Sequence, residues 1–136
     1  DIHLIFNIID RISYSKENYA VENKYKLDWF EVLGDVGCFI RNVVSDSDKI
    51  EALGKIGIER CKEYTRKSYF DKHGKQISDT ELIHCVLNHA EEKLLRLKDQ
   101  FIKTPIGKLM AQPLHDEMVE ELKLLKSSIN QIYEKN

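Results

Sequence analysis

The sequence predicts an all-α protein, a single-domain bundle of about five helices that ends in a long antiparallel helix pair. Only two prolines and six glycines interrupt the 136 residues, and no segment alternates apolar and polar residues as a strand does. Apolar residues instead recur at steps of three and four, which places them on one face of a helix. A chain of this length that is 42% hydrophobic and 32% charged is long enough to bury one core.

Start and stop signals along the chain define the predicted helices. Ser78 begins a capping box with the glutamate three residues later, and Gly74 ends the preceding helix. Thr104 followed by Pro105 predicts an N-cap and a first helical residue. Residues 15–26 are polar and are predicted to form a loop, although the middle of this segment could form a helical turn. The predicted helices span residues 2–14, 28–44, 48–73, 79–102 and 114–134, with a short helical turn after Pro105.

The last two predicted helices carry apolar stripes of similar length. These stripes are Ile83, Leu87, Ala90, Leu94, Leu97 and Phe101 in one helix, and Met118, Leu122, Leu125, Ile129 and Ile132 in the other. Two such stripes cover each other when the helices pack side by side. Packing within the bundle is therefore favoured over pairing with another chain, and it predicts the antiparallel pair.

Two successive predicted helices contain glycines three residues apart, Gly34 with Gly37 and Gly54 with Gly57. Each glycine costs a helix about 1 kcal/mol relative to alanine. Either the pairs allow two helix backbones to approach closely, or the helices merely tolerate them. Both interpretations stay open.

The whole chain, residues 1–136, is interpreted as one helical-bundle domain. Because it begins with Asp1 and not with methionine, we expect it to be a C-terminal piece of a longer protein. The odd number of cysteines and the absence of a Cys-x-x-Cys spacing argue against a disulfide framework and a zinc site. The sequence predicts no metal, cofactor or catalytic residue and no transmembrane segment. We expect a reducing, cytoplasmic location, with membrane contact only at the periphery.

Positive charge is concentrated in residues 60–76, which hold six lysines and arginines against Glu63 and Asp71. Since the chain as a whole has a net charge of −2, a broad basic surface for nucleic acid is not expected. A local basic patch still suits a compact anion, with Arg66 as a bidentate donor. The alternative is that cations near a helix C-terminus simply complement its dipole. The candidate anion-binding residues are Lys62, Arg66, Lys67, Tyr69, Lys72, His73 and Lys75.

A second candidate anion site lies in the segment KTPIGK, residues 103–108. Helix N-termini bind anions through free N–H groups, and Lys103, Thr104 and Lys108 surround the predicted start. The simpler interpretation, an ordinary turn between two helices, is favoured over this site.

The spacing of Arg66 and His73 resembles the Arg-x(4–6)-His motif of the HEPN family of helical ribonucleases. That resemblance implies that both residues act on a scissile phosphate. Lys67 departs from the motif, because a polar residue such as asparagine, histidine or aspartate usually follows the arginine. The acidic C-terminal region is also similar to the export signals at the ends of bacterial type IV effectors.

The sequence predicts a non-catalytic helical module that docks a protein partner or acts as a targeting domain. The alternative is a module that binds phosphoinositides, other anionic membranes or a phosphorylated ligand through residues 62–75. The third interpretation is a ribonuclease of the HEPN type.

Overall fold

The computed structural model describes residues 1–135, and every regular element among them is helical. The prediction of an all-α protein is confirmed. Six α-helices are present, compared with the five expected. They are α1 (Ile2–Ile9), α2 (Tyr14–Glu22), α3 (Phe30–Ile50), α4 (Gly54–His73), α5 (Asp79–Glu92) and α6 (Pro105–Glu134), with a 3₁₀ turn at Leu94–Arg96 and a π turn at Leu97–Phe101 between α5 and α6.

The additional helix is α2, which lies in the segment predicted as a loop. Its sequence is polar, but Glu17 and Ala20 are buried. The prediction of a loop was wrong because Glu17 faces buried cations on α3 and not solvent. Burial of a polar side chain against a distant partner leaves no apolar period in the local sequence.

Two predicted helix breaks are also absent. The first was predicted before Ser47, but α3 continues to Ile50, and the Ser47 hydroxyl donates to the Val43 carbonyl (2.9 Å). The second was predicted before residue 114, but α6 runs without interruption from Pro105 through Pro113. The only sharp change of direction within α3 is at Gly34, whose φ of 66° is outside the helical region.

The predicted capping signals at the end of α4 and at the starts of α5 and α6 are confirmed, whereas the helix predicted over residues 79–102 ends at Glu92. Ser78 Oγ accepts the Glu81 N–H (3.2 Å), and Thr104 Oγ1 accepts the Gly107 N–H (3.0 Å). Gly74 ends α4 in the left-handed conformation, with φ of 67°. These signals depend on residues three apart or fewer, so the sequence alone reveals them.

The core lies where α4, α5 and α6 meet the two short turns. It consists of Leu53, Ile58, Leu82, Val86, Ala90, Leu94, Leu97, Phe101, Ile102, Ala111, Met118 and Leu122. The long helix α6 packs against α3, α4 and α5 and so connects this core to the N-terminal half. No helix within residues 1–135 has both the length and the apolar character needed to cross a bilayer.

Candidate functional site

Helix α3 has its polar and apolar faces reversed relative to an ordinary surface helix. Its buried side includes Arg41, Ser45 and Lys49, each no more than 3% exposed. Its solvent side carries large apolar side chains, of which Val36 is 69% and Phe39 64% exposed. A helix that buries charge and exposes apolar surface needs a buried counter-charge on one side and has an uncovered surface on the other.

The buried counter-charge comes from α2. Glu17 Oε1 contacts Arg41 Nη2, lies 3.0 Å from Lys49 Nζ, and accepts the Ser45 hydroxyl at 3.4 Å. Ser45 in turn contacts Lys49 Nζ. We refer to these four residues, Glu17, Arg41, Ser45 and Lys49, as the buried charge cluster.

The other donors of Arg41 are also satisfied. Its Nε donates to the Arg11 carbonyl and its Nη1 to Asn42 Oδ1, both at 2.9 Å. The guanidinium carbon lies 4.2 Å from the centre of the Trp29 ring, in a cation–π contact. Arg41 is therefore fixed in one orientation by three chain segments.

The cluster contains two cations and one carboxylate, so its charges do not balance when all three are ionised. Burial is the main cause that lowers the pKa of Lys49, and the neighbouring Glu17 opposes this effect. Glu17 Oε2 is buried and has no hydrogen-bond partner among residues 1–135. One strong acceptor is thus left over, which is unusual in a protein interior.

A cavity of about 620 Å³ adjoins the cluster. It lies between α2, the segment 24–29, α3 and the segment that leads into α6. Glu17 and Arg41 contribute buried polar groups, while Tyr25, Trp29 and Phe101 contribute aromatic surface. The volume is within the range of small-molecule sites.

Helices α1 and α3 together expose a large apolar surface, which we call the apolar face. The two helices pack against each other, and a Cβ on Gly37 would lie only 3.0 Å from Leu4 Cδ1. The exposed apolar side chains are Ile2, Ile5, Phe6 and Ile9 on α1, and Phe30, Val32, Val36, Phe39, Ile40, Val43 and Val44 on α3. Isolated exposed apolar residues are ordinary, but a group of this size on two adjoining helices is not.

The charges around the apolar face have a single sign. The exposed ionised side chains on α1, on α3 and at the capping positions of these two helices are Asp1, Asp10, Glu31, Asp35, Asp48 and Glu51. All of them are acidic, because the cations of α3 are buried in the charge cluster. The face is therefore apolar with an acidic border.

The seven residues of the predicted basic site lie on different sides of α4 and beyond its end. Lys67 and Lys72 line a surface cavity of about 500 Å³ together with Tyr64, Ser68 and Asp71. Lys62 pairs with Glu59 at 2.6 Å. Arg66, Tyr69 and His73 follow each other at helical spacing on another side, where the Tyr69 and His73 rings stack at 4.2 Å. Lys75 lies past the end of α4 and is exposed.

Most of the cations in this region are free of carboxylates. Arg66, Lys67, Lys72 and Lys75 form no ion pair within residues 1–135, and all four are exposed. Arg66 and His73 are two helical turns apart, about 10 Å along the axis. The ribonuclease interpretation of these two residues stays a prediction.

At the second predicted anion site, an anion from the protein itself is present. Asp46, on α3, accepts the Lys103 N–H at 2.8 Å and both the N–H and the hydroxyl of Thr104 at 2.7 and 2.6 Å. A Cβ on Gly107 would lie 2.6 Å from the same carboxylate. The start of α6 thus holds Asp46, whereas Lys108 is exposed nearby.

Other chemical groups are dispersed over the chain. The three cysteines are unpaired. No group of three or more histidine, cysteine, aspartate or glutamate side chains in residues 1–135 is arranged to hold a metal ion. Comparison with protein-family models, curated proteins and solved structures gives no match.

Sequence reasoning missed the buried charge cluster, the adjoining cavity and the apolar face. A signal was present, because Arg41, Ser45 and Lys49 are spaced four apart on one side of α3 and the apolar residues occupy the other side. That pattern is ordinarily interpreted with the polar side in water. The acidic residue that reverses it, Glu17, lies 24 positions before Arg41.

Proposed function

We propose that this domain is a docking module that binds a partner protein through the apolar face of α1 and α3. The observation that carries the proposal is the reversed polarity of α3, which places Val36, Phe39 and Val43 in solvent. Exposed apolar groups of this extent mark interaction surfaces in soluble proteins. The buried charge cluster supports the proposal, because it fixes α3 in this orientation.

The acidic border supports a basic partner. Asp35 and Asp48 on α3 and Asp10 after α1 attract lysines and arginines and repel carboxylates and anionic lipid. We therefore propose that the partner contributes an amphipathic helix with an apolar face and basic flanks. Such helices bind grooves and faces through residues spaced three and four apart.

A leucine–lysine amphipathic peptide is a direct probe of this proposal. We expect saturable binding by calorimetry, with a leucine–glutamate peptide of the same length binding at least about tenfold more weakly, a difference of about 1.4 kcal/mol. The double variant Val36→Asp/Phe39→Asp is expected to abolish binding of the lysine peptide. Both side chains are exposed, so the variant should fold.

The sign of the charge change makes this variant informative. Added aspartates would strengthen a purely electrostatic contact with the lysine peptide but weaken apolar docking. Ile56→Asp is the matched control, because Ile56 is 73% exposed on α4, away from the apolar face. Equal binding of both peptides, or tighter binding of the lysine peptide by the double variant, would contradict the proposal. A dimer that forms without peptide as the protein concentration rises would identify a second copy of the chain as the partner instead.

A second candidate function is binding of an anionic lipid headgroup by α4. It is favoured by one observation, the four exposed and unpaired cations Arg66, Lys67, Lys72 and Lys75. Lys67 and Lys72 line the same surface cavity, and Phe70 of the same helix is 48% exposed. An exposed aromatic among cations suits the interface of an anionic bilayer.

Vesicle flotation tests this second candidate. Vesicles with phosphatidylserine and a phosphoinositide are expected to bind the protein at low salt, and Lys67→Glu/Lys72→Glu should reduce the bound fraction at least about fivefold, since each basic residue near such a surface contributes about 1 kcal/mol. Lys55→Glu/Lys108→Glu makes the same change of charge elsewhere and should retain more of the binding. If both variants lose binding equally, net charge and not this cavity is responsible.

We also propose that α5 and α6 form the antiparallel pair expected from their stripes. Two contacts support this arrangement. His84 lies 3.4 Å from the Tyr133 hydroxyl, and Glu91 lies 3.7 Å from Lys126. The later residue of α5 contacts the earlier residue of α6, as expected for two antiparallel helices. In this proposal, α3 and α4 pack against the pair.

A further inference from the structure

At the base of the cavity beside the buried charge cluster, one polar side chain lacks a hydrogen-bond partner. Glu17 is 5% exposed and lines the cavity, and its Oε2 has no donor among residues 1–135. An unpaired buried acceptor destabilises the fold, because it has lost its hydrogen bonds to water. This oxygen has almost no accessible surface, so a ligand that donates a hydrogen bond to it must first turn the Glu17 carboxylate toward the cavity.

The charge at the base favours an uncharged donor. Arg41 and Lys49 both contact the Glu17 carboxylate, so its negative charge is already compensated. A further cation would therefore find little unpaired negative charge there. A hydroxyl or an amino group on an aromatic ring, which is uncharged, satisfies Glu17 Oε2 without this conflict.

The outer part of the cavity is basic. Lys24, Lys26 and Lys103 are exposed lining residues, opposed only by Asp28 among the exposed lining groups. The rings of Tyr25 and Trp29 also line the cavity. The lining thus combines a buried carboxylate, aromatic surface and an excess of exposed positive charge.

From this combination of lining groups we infer that the cavity binds a planar aromatic anion, with a hydroxyl or amino donor directed at Glu17 and a phosphate or carboxylate at the three lysines. The volume of about 620 Å³ accommodates a molecule of nucleotide size. A nucleoside monophosphate and a hydroxylated aromatic acid share this chemistry. The inference can fail independently of the docking proposal, because none of the residues that line the cavity belongs to the apolar face.

Calorimetric titration with adenosine monophosphate and, separately, with 4-hydroxybenzoate tests the inference and distinguishes the two sources. Adenosine and inorganic phosphate are the controls that lack one end of the ligand. Trp29 is the only tryptophan of the chain, so a saturable change in its fluorescence reports binding at this cavity. We expect at least one of the two anions to bind, and both controls to bind at least about tenfold more weakly.

The variant Lys24→Glu/Lys26→Glu reverses two exposed charges at the mouth and is expected to raise the dissociation constant at least tenfold. Lys55→Glu/Lys108→Glu is the control of equal charge change and should leave binding close to that of the wild type. Glu17→Gln would alter the base, but it also removes the charge partner of two buried cations and destabilises the fold, so a loss of binding by this variant would not be specific to the cavity. The inference is overturned if neither anion binds at millimolar concentration, or if the mouth variant binds as the wild type does.

Discussion

Replacing Glu17 with alanine is expected to lower the free energy of unfolding by about 3–5 kcal/mol, because it leaves two buried cations without their carboxylate. Arg41 and Lys49 are 1% and 3% exposed, so solvent does not take the place of Glu17. A domain of this kind has a total stability of about 5–15 kcal/mol. Urea unfolding followed by circular dichroism measures the loss directly.

Two variants separate the cluster from the general effect of losing a glutamate. Glu22→Ala changes an exposed residue of the same helix and is expected to cost about 0.5 kcal/mol or less. Lys49→Met removes the cation whose charged form is disfavoured by burial and leaves Arg41 paired with Glu17, so we expect a change within about 1 kcal/mol. A loss of less than about 1 kcal/mol for Glu17→Ala would mean that water reaches the cluster, and the fixed orientation of α3 would lose its explanation.

The local features of the fold were predictable because their causes are local. The caps at Ser78 and Thr104 and the end of α4 at Gly74 each depend on a few consecutive residues. The all-α class followed in the same way from spacing. The sequence therefore indicates the end of α4 and the starts of α5 and α6.

The errors arose where a distant partner determines the local structure. The segment around Asp46 and Ser47 has the composition of a helix start, and a break was predicted there. In the folded chain Asp46 instead accepts N–H groups at the start of α6, 57 and 58 residues later, while α3 continues. The same anion accounts for the second predicted site at Lys103 and Thr104. The sequence indicates that an anion suits the start of α6, but not that the anion is the carboxylate of Asp46.

The candidate site was unpredictable for a related reason. Amphipathic spacing identifies two faces of a helix but does not determine which one is buried. For α3 the choice depends on Glu17, which offers a buried carboxylate to Arg41 and Lys49. In the absence of that residue, the ordinary orientation would place Val36 and Phe39 inside and the cations in water.

Gly57→Ala is expected to lower the free energy of unfolding by about 1–3 kcal/mol, although alanine is the better helix former by about 1 kcal/mol. A Cβ at this position would lie 2.1 Å from the carbonyl oxygen of Ala52. That atom belongs to the backbone of the turn between α3 and α4, so relief requires the turn or α4 itself to move. Leu53, in the same turn, and Ile58, next to Gly57, are core residues and would move with it.

This variant also tests whether close backbone approach explains Gly57, although the backbone that it approaches is the turn at Ala52 and not a second helix. Tolerance predicts that Gly57→Ala stabilises the domain, whereas close backbone approach predicts a loss, so the sign of the change in urea midpoint is sufficient. Ser68→Ala, at an exposed position of the same helix, is the control. Alanine has a higher helix propensity than serine and meets no steric conflict at this position, so the change should be neutral or slightly stabilising. A Gly57→Ala protein at least as stable as the wild type would mean that the turn at Ala52 relaxes at little cost. Close approach would then not explain this glycine.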